Sequence, residues 1–353
     1  MLSENTVRVL DVDLATGKVR VQRRDDLFAY LGGVGLATAL LREHVRPELD
    51  ALDPAQPIVF AIGPLSTIYP AVTKTVAMFK SPLNNELGES HAGGRLALAM
   101  RYAGYDALVI RGRAARPVYL YVDSNQVLLK RADTLWGMEA EEAGRVMRDI
   151  EPGRGHRSIM RIGPAGERLV RYALVNCETY RHFGRLGLGA VFGSKLLKAV
   201  YISGDCDIPI PDVKRYNKVY TDIFRRIVET DAMQKYHDLG TAENVMGLHE
   251  MGALPTRNLQ SGRFEGAAAI SGELFAEHEL MRKVACSGCP IGCIHIGLLR
   301  QQFGKDHDHE YSWAGISYDY ELVYSLGSLL GISDRHGILR LLDKVAQVGL
   351  DAI

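Results

Sequence analysis

Three of the five cysteines in this chain lie within eight residues, at Cys286, Cys289 and Cys293. This C-x₂-C-x₃-C spacing concentrates thiolates in the way that iron–sulfur proteins do, because cysteine thiolates hold such clusters. Gly288 and Gly292 allow tight backbone turns between them. Zinc is the main alternative, since C-x₂-C is also half of a zinc site. A disulfide fits less well, because the N-terminus carries no secretory signal. We predict an iron–sulfur cluster with these three cysteines as ligands.

A four-iron cluster needs a fourth ligand, and the clustered cysteines supply only three. The other two cysteines, Cys177 and Cys206, lie far upstream. Either one of them folds back to the cluster, or the fourth ligand lies in sequence that this chain lacks. We favour the second interpretation, because Gly349 follows the last predicted helix and a glycine exit usually leads into another element.

Two glycine-rich segments could bind phosphate, at Gly88–Gly94 and Phe183–Lys195. Glycines expose backbone N–H groups that suit phosphate oxygens, and Arg181, Arg185 and Lys195 would add positive charge nearby. Neither segment matches the dinucleotide fingerprint or the P-loop. A tight turn packed against a helix is the structural alternative, and glycine content alone does not decide between the two.

Short apolar strands separated by turn signals dominate residues 1–207. Alternation on either side of Thr16 and Gly17 predicts a β-hairpin. Further strands are predicted at Ile58–Ala61, Val76–Phe79, Ala107–Ile110, Val118–Val122 and Val127–Leu129, with helices at Gly35–Glu43, Arg95–Tyr102 and Glu139–Asp149. We expect this part to form a β-rich domain with two sheets that binds the cofactor.

The spacing of apolar residues becomes helical after Pro209, as at Val213–Glu229 and Ile338–Val348. We therefore predict an α+β protein, in which a β-rich two-sheet N-terminal domain at residues 1–207 precedes a mostly α-helical domain at residues 208–353. The second domain carries the clustered cysteines and is expected to be truncated at its C-terminal end.

Composition excludes several classes of partner. Lys and Arg together number 42, as do Asp and Glu, so no overall basic field would attract nucleic acid or anionic membrane. Apolar residues make up 47% of the chain, but no run approaches the length of a membrane span. With no targeting segment at the start, we expect a cytoplasmic protein that binds neither nucleic acid nor membrane.

A series of short motifs resembles one known family. In order they are Gly32-Gly33-Val34-Gly35, Ala61-Ile62-Gly63-Pro64-Leu65, Ser81-Pro82-Leu83, Ala92-Gly93-Gly94, Ala103-Gly104-Tyr105-Asp106-Ala107, Gly184–Lys195, Gly252–Asn258 and the cysteine cluster. Each motif is weak alone, but their ordered combination resembles the tungsten-containing aldehyde:ferredoxin oxidoreductase family over the N-terminal and middle part of its members. The resemblance implies that the family's C-terminal region, which holds the fourth cluster cysteine, has no counterpart here.

The resemblance implies a metallopterin site. Two pyranopterin dithiolenes would chelate one tungsten, or molybdenum, beside a 4Fe–4S cluster, with a magnesium ion bridging the two phosphates. The implied cofactor-binding positions are Lys74, His91, Ala92, Gly93, Gly94, Arg181, His182, Gly184, Arg185 and Gly187. Two of them depart from the family, which usually has Arg at position 74 and Asn at position 91. Lysine lacks the bidentate grip of arginine on phosphate, and imidazole is a poor magnesium ligand.

Glu321 matches the family's acidic residue near the metal, which implies a catalytic role in moving a proton. Its structural alternative is a glutamate at a helix start, stabilised by the helix dipole. The polar segment His307–Glu310 could suggest a metal site, but we interpret it as an exposed loop.

The resemblance implies an enzyme that oxidises an aldehyde to a carboxylate and passes the electrons through the cluster to ferredoxin or another electron-transfer subunit, within an oligomer. A related catalytic subunit that reduces an aromatic acyl-CoA is one alternative. A non-catalytic iron–sulfur or zinc module is an alternative of a different class. Metal analysis separates the enzyme from the module.

Overall fold

A computed structural model describes residues 5–302 and 311–353. The chain folds into two compact units. The first contains the residues up to Tyr220 together with Cys286–Gly288 and Gln347–Asp351, and the second contains Thr221–Ala285, Cys289–Ala346 and Ala352–Ile353. The boundary predicted between residues 207 and 208 stays a prediction. The polar segment at residues 307–310 lies outside the described residues.

The first unit contains two mixed sheets of six strands each. In spatial order the first sheet is β2 (Lys18–Arg24), β1 (Val7–Asp13), β6 (Ala107–Arg111), β3 (Ile58–Ala61), β4 (Thr75–Lys80) and β5 (Leu87–Ala92). The second sheet is β11 (Arg181–Phe183), β10 (Val175–Cys177), β9 (His156–Arg161), β12 (Leu197–Gly204), β7 (Val118–Val122) and β8 (Val127–Arg131). Only β1–β6 and β7–β12 pair in parallel among the named strands of these sheets.

Five helices lie wholly in the first unit. They are α1 (Gly33–His44), α2 (Leu96–Tyr102), α3 (Ala140–Ile150), α4 (Pro164–Glu167) and α5 (Leu188–Ser194), with a 3-10 turn at Asp26–Tyr30. The core joins both sheets to α5, because the ring of Phe60 in β3 lies 5.4 Å from that of Phe183 in β11 and 6.2 Å from that of Phe192 in α5. Helix α6 (Val213–Val228) begins in the first unit and ends in the second.

The second unit is mostly helical but also contains a three-stranded antiparallel sheet. Its helices are α7 (Asp231–Asp238), α8 (Asn244–Glu250), α9 (Gly272–His278) and α10 (Tyr320–Leu326), with 3-10 turns at Gly240–Glu243, Ala268–Ile270 and Ser328–Leu330. Helix α11 (Arg335–Val348) begins in the second unit, and its last two residues belong to the first. Its strands are β13 (Leu280–Val284), β14 (Ile294–Gln302) and β15 (Tyr311–Tyr318). No helix in the described ranges is both long and apolar enough to cross a bilayer.

The α+β fold class with two sheets first and helices later is confirmed. The predicted hairpin is β1 and β2, which pair in antiparallel register. Two features differ from the expectation. The segment Gly88–Gly94 is mostly edge strand β5, which pairs with β4 in antiparallel register. The ring of Phe79 packs on Gly88, whose Cβ position lies 2.8 Å from it. The three-stranded sheet of the second unit was not predicted at all.

Packing in the first unit includes an ion pair that is removed from water. Lys198 of β12 is fully buried and bonds to the carboxylate of Glu167 in α4, whose side chain is 5% exposed. Its Nζ also donates to the carbonyl of Met138 at 2.9 Å. Removing one partner of such a pair leaves an uncompensated charge in the interior, which is more costly than the pair itself is stabilising.

We therefore expect Glu167→Ala to lower the free energy of unfolding by about 3–5 kcal/mol, because the Lys198 ammonium would be left unpaired. The measurement is denaturant unfolding monitored by circular dichroism. Glu141→Gln is the control, since it removes an exposed pair with Arg145 and should cost less than about 0.5 kcal/mol. Equal losses in the two variants would contradict the argument.

Candidate functional site

Gly93 follows the end of strand β5, and three side chains from other parts of the first unit crowd against it. A Cβ at this position would lie 2.6 Å from Cys286 Sγ, 3.4 Å from Lys74 Nζ and 3.9 Å from Arg181 Cδ. Real Cβ atoms do not approach sulfur that closely, so a glycine is required here. The structure thus brings together residues that are separated by up to about 200 positions in the sequence.

Gly94 continues this turn with a left-handed backbone, at φ +84°. A Cβ here would lie 3.0 Å from Glu178 Cγ and 3.8 Å from Arg181 Cγ. A backbone hydrogen bond joins the cysteine segment to this turn, in which Ser287 N donates to Gly94 O at 3.0 Å.

We refer to Lys74, Gly93, Gly94, Glu178, Arg181 and Cys286 as the Gly93 site. Its elements are the start of β11, the end of β5, the residue before β4 and the segment Cys286–Gly288.

The Gly93 site is electropositive on one side. His182, next to Arg181 in β11, is partly buried. Burial, together with the positive charges of Arg181 and Lys74, lowers the pKa of His182 to about 4. The imidazole is therefore neutral at pH 7, and Lys74 and Arg181 are the cations.

Arg181 Nε is a buried donor with no hydrogen-bond partner in residues 5–302 and 311–353. A buried donor without an acceptor is costly, which suits a site that an anion fills.

Cys177 lies on the other side of the Gly93 backbone. Its Sγ is 4.0 Å from the Gly93 carbonyl oxygen and 3.9 Å from Ser158 Oγ. Burial raises the pKa of this thiol, so Cys177 is a neutral, weak donor in this state. Cys206 lies elsewhere in the first unit, where its sulfur is 3.9 Å from the Cβ position of Gly104.

The second and third clustered cysteines belong to the second unit. Gly288 and Gly292 have left-handed backbones, with φ of +77° and +66°, so the segment turns tightly at both glycines. His237 Nδ1 lies 2.8 Å from the Ile291 carbonyl oxygen, and His295 faces the carbonyls of Cys293 and Asp238. In the part of the chain that the structure describes, no group of three or more His, Cys, Asp or Glu is arranged to hold a metal ion. A common centre for the three sulfurs stays a prediction.

The remaining predicted cofactor positions lie in different settings. His91 projects from the exposed face of β5, where its Nε2 lies 2.7 Å from Glu89 Oε1. Ala92 is buried and pairs with Thr75 of β4. The Cβ position of Gly184 lies 3.2 Å from the His182 ring.

The end of the predicted Gly184–Gly187 segment has a packing role. Arg185 is exposed. Gly187 precedes α5 as its N-cap with φ +81° and packs against the carbonyl of Arg171 and the ring of Pro82. The backbone at Gly187 can approach these groups because it has no Cβ.

Lys195 does not supply charge to a phosphate site. Its side chain is fully buried and its Nζ donates to the carbonyls of Pro54 at 2.7 Å and Gln56 at 2.5 Å. Burial lowers the pKa of Lys195 to about 7. The lysine ties the loop before β3 to the end of α5, so the expectation that it contributes positive charge to the glycine-rich segment was wrong.

Glu321 lies in the first turn of α10 in the second unit and is exposed there. Asp319 caps this helix at its N-terminus, and its carboxylate accepts from Leu322 N at 3.2 Å. Glu178, by contrast, belongs to the Gly93 site but was not predicted. Its only sequence signal is its position three residues before Arg181, and its left-handed φ of +60° is not visible in the sequence.

Comparison with known proteins agrees with this arrangement of motifs. Residues 9–204 match the N-terminal domain of aldehyde ferredoxin oxidoreductase, and residues 218–353 match domains 2 and 3 of the same family. The chain belongs to the aldehyde ferredoxin oxidoreductase family. The expected membership is thus confirmed.

Two relatives illustrate the family's range. The chain is 34% identical over 99% of its length to the tungsten-containing aldehyde ferredoxin oxidoreductase of Pyrococcus furiosus, and 31% identical over 98% to an aliphatic sulfonate oxidoreductase, WOR-like subunit, of the same organism. It spans 56% and 57% of these relatives, respectively.

A solved structure shares the fold. The active-site complex BamBC of benzoyl coenzyme A reductase matches with a TM-score of 0.80 and 23% identity, covering 98% of this chain and 53% of that one.

The Gly93 site fits the phosphate end of the cofactor that the family implies. Arg181 Nε is buried without an acceptor among the described residues, Lys74 is a second cation, and the glycine leaves the space that a side chain would fill. The cysteine segment fits an iron–sulfur cluster by its donor set, which is three thiols joined by left-handed glycines.

We expect Gly93→Ala to displace Cys286, because the new Cβ would lie 2.6 Å from its sulfur. Overpacking of this kind costs roughly 1–3 kcal/mol of stability, and the displaced ligand should lower the iron retained per chain. Iron analysis after anaerobic purification measures the effect. Gly63→Ala is the control, since its nearest neighbour would be Ser66 Oγ at 3.5 Å. Full iron retention in Gly93→Ala would show that this contact is not needed for ligation.

The lowered pKa of His182 predicts a loss of stability in acid. An unfolded histidine titrates near pH 6.5, so between that value and about pH 4 the folded state binds fewer protons than the unfolded one. The free energy of unfolding is therefore highest above pH 6.5 and falls as the pH is lowered toward 4. The decrease is at most roughly 3 kcal/mol, and it is smaller if water screens the charge on the ring. His182→Asn should flatten this part of the pH profile in chemical unfolding. Identical slopes in the two proteins would refute the assignment.

Proposed function

We propose that this chain is the cofactor-binding part of an oxidoreductase that converts an aldehyde to a carboxylate. The observation that supports this most directly is the meeting of Lys74, Arg181 and Cys286 at Gly93. There Lys74 and Arg181, the two cations that we propose bind phosphate, lie beside a cysteine of the proposed iron–sulfur loop. A tungsten or molybdenum bis-pyranopterin centre, when bound, supplies the two-electron oxidation.

The proposed task of the Gly93 site is to bind and orient the phosphate end of the pterin. Arg181 would donate through Nε, and Lys74 would act as a point charge. The backbone around Gly93 and Gly94 can approach the ligand closely, because no side chain intervenes. His182 is neutral at pH 7 and adds no third positive charge.

The proposed task of Cys286, Cys289 and Cys293 is to hold a 4Fe–4S cluster, with the fourth ligand outside the clustered cysteines. A cluster next to the pterin would let electrons leave singly toward ferredoxin or another electron-transfer subunit. Glu321 is the proposed residue that holds or moves a proton on its carboxylate when water adds to the aldehyde. We propose a cytoplasmic, oligomeric enzyme.

A related reaction is the second candidate. The fold matches that of the benzoyl coenzyme A reductase complex over 98% of this chain, so reduction of an aromatic acyl-CoA thioester is an alternative for the same site. The alternative of a different class, a non-catalytic iron–sulfur or zinc module, predicts a protein without tungsten or molybdenum.

Metal analysis of the anaerobically purified chain tests the proposal. We expect tungsten or molybdenum together with iron, because the two cofactors bind adjacent parts of one site. Cys289→Ser should lose most of its iron and its dye-linked aldehyde oxidation, while the circular dichroism of the β-rich unit is retained. Cys206→Ser is the matched control and should keep both, since Cys206 is not in the cysteine cluster. Zinc as the only metal would contradict the proposal, and so would full iron in Cys289→Ser.

A further inference from the structure

His237 of α7 contacts the turn between the second and third clustered cysteines. Its Nδ1 lies 2.8 Å from the carbonyl oxygen of Ile291. A carbonyl oxygen can only accept a hydrogen bond, so Nδ1 carries a hydrogen and donates it. The ring also lies against Gly292, whose Cβ position would be 3.3 Å from Nδ1. The histidine therefore reaches the backbone of this turn at a point where no side chain intervenes.

The face of α7 that carries His237 also lines a cavity beside the turn. Met233 and Gln234 lie four and three residues before His237, and residues at these spacings share one face of a helix. The cavity has a volume of about 220 Å³, and its other walls are the end of α6 and the turn residues Pro290 and Ile291. Because a void offers its lining no contact atoms, apolar packing holds this side of the turn weakly.

A second histidine connects the end of the turn to the same end of α7. The ring of His295, which is 1% exposed, lies between two backbone carbonyls. Its Nε2 is 3.1 Å from the oxygen of Asp238, the last residue of α7, and its Nδ1 is 3.3 Å from the oxygen of Cys293. The C-terminal end of α7 is thus joined to residues 290–293 through two separate rings.

The turn itself has little intrinsic rigidity. Gly292 has φ +66°, and glycine is the residue with the widest choice of backbone conformations. A hydrogen bond from a side chain that is carried on a helix removes part of this freedom. The position of the Ile291 carbonyl, and with it the path of the backbone from Cys289 to Cys293, is therefore set partly by His237.

We propose that His237 is a positioning residue for the iron–sulfur cluster, which acts through the Ile291 carbonyl on the turn that separates Cys289 from Cys293. Groups that orient metal ligands in this way commonly change metal affinity by about 10–100-fold when they are removed. This inference rests on the proposed function, because it requires an iron–sulfur cluster on these cysteines.

The test compares two substitutions of nearly equal shape in the full chain, purified anaerobically with its cluster. Asparagine carries an N–H donor on Cγ, as histidine does with Nδ1, so His237→Asn keeps a donor at that distance from the backbone. His237→Leu has the same branching at Cγ but no donor. His237 is exposed, so its replacement does not open a hole in the core, as replacement of the buried His295 would.

The first measurement is the rate at which an added ferrous chelator removes iron from the protein. We expect His237→Leu to release iron roughly tenfold faster than the wild type, and His237→Asn to release it close to the wild-type rate. The second measurement is the electron paramagnetic resonance spectrum of the reduced cluster. It should shift in His237→Leu and keep its wild-type form in His237→Asn, which a role limited to stabilising α7 would not produce.

Two further variants support the comparison. His237→Ala also lacks the donor and should behave like His237→Leu, so it replaces that variant if leucine prevents folding. His278→Ala is the matched control, because His278 is an exposed histidine of α9 in the same unit and its ring lies 3.9 Å from Glu277. It should leave both the iron release rate and the spectrum unchanged.

A wild-type release rate and spectrum in folded His237→Leu or His237→Ala would overturn this inference and leave the proposed function intact. The same conclusion would follow if His237→Asn behaved like His237→Leu, since the donor would then not be what matters. If the wild-type chain binds no iron at these cysteines, the iron–sulfur part of the proposed function fails together with the inference.

Discussion

The site depends on the absence of a side chain at Gly93, because only a glycine allows three separate segments of the chain to approach the backbone there. Lys74 is the residue before β4, Arg181 lies in β11 of the other sheet, and Cys286 belongs to the cysteine segment. Any Cβ at Gly93 would collide with the sulfur. The edge strands β5 and β11 therefore approach each other where Gly93 and Gly94 add no side-chain volume. The shared core around Phe60 and Phe183 holds the two sheets in that relation.

The secondary structure could be predicted where apolar residues recur at one regular spacing, either alternating as in strands or every three to four residues as in helices. The β1–β2 hairpin and the helices α1, α3 and α11 lie close to their predicted bounds. Strands β9 and β12 were missed because polar residues interrupt their pattern. Arg161 in β9 is buried and bonds to the Ala140 carbonyl, and Lys198 in β12 is buried against Glu167. A charged residue in a sequence normally indicates an exposed position, and the partner that allows it to be buried is visible only in the structure. These two strands therefore do not show the apolar pattern of buried strands.

The candidate site was predictable only in part, and for a related reason. Family motifs drew attention to Lys74, Gly93 and Arg181, which the structure brings together. They also drew attention to His91, but strand β5 alternates its side chains, so His91 lies on the exposed face with Glu89 while Ala92 is buried. The face of a residue follows from strand register, and the register of an unpredicted strand cannot be read from the sequence.

The charges of the Gly93 site suit an anionic ligand. Arg181 and Lys74 both lower the pKa of His182, which shows that their fields overlap there. Arg181 Nε stays buried and unpaired within the described residues. A bound anion would relieve the repulsion between the cations and satisfy the orphaned donor. Binding of the proposed ligand would therefore stabilise the first unit, since a ligand that binds only the folded state stabilises it by mass action. The repulsion between the two cations and the unpaired Arg181 donor would thus both contribute to the affinity for the proposed anionic ligand.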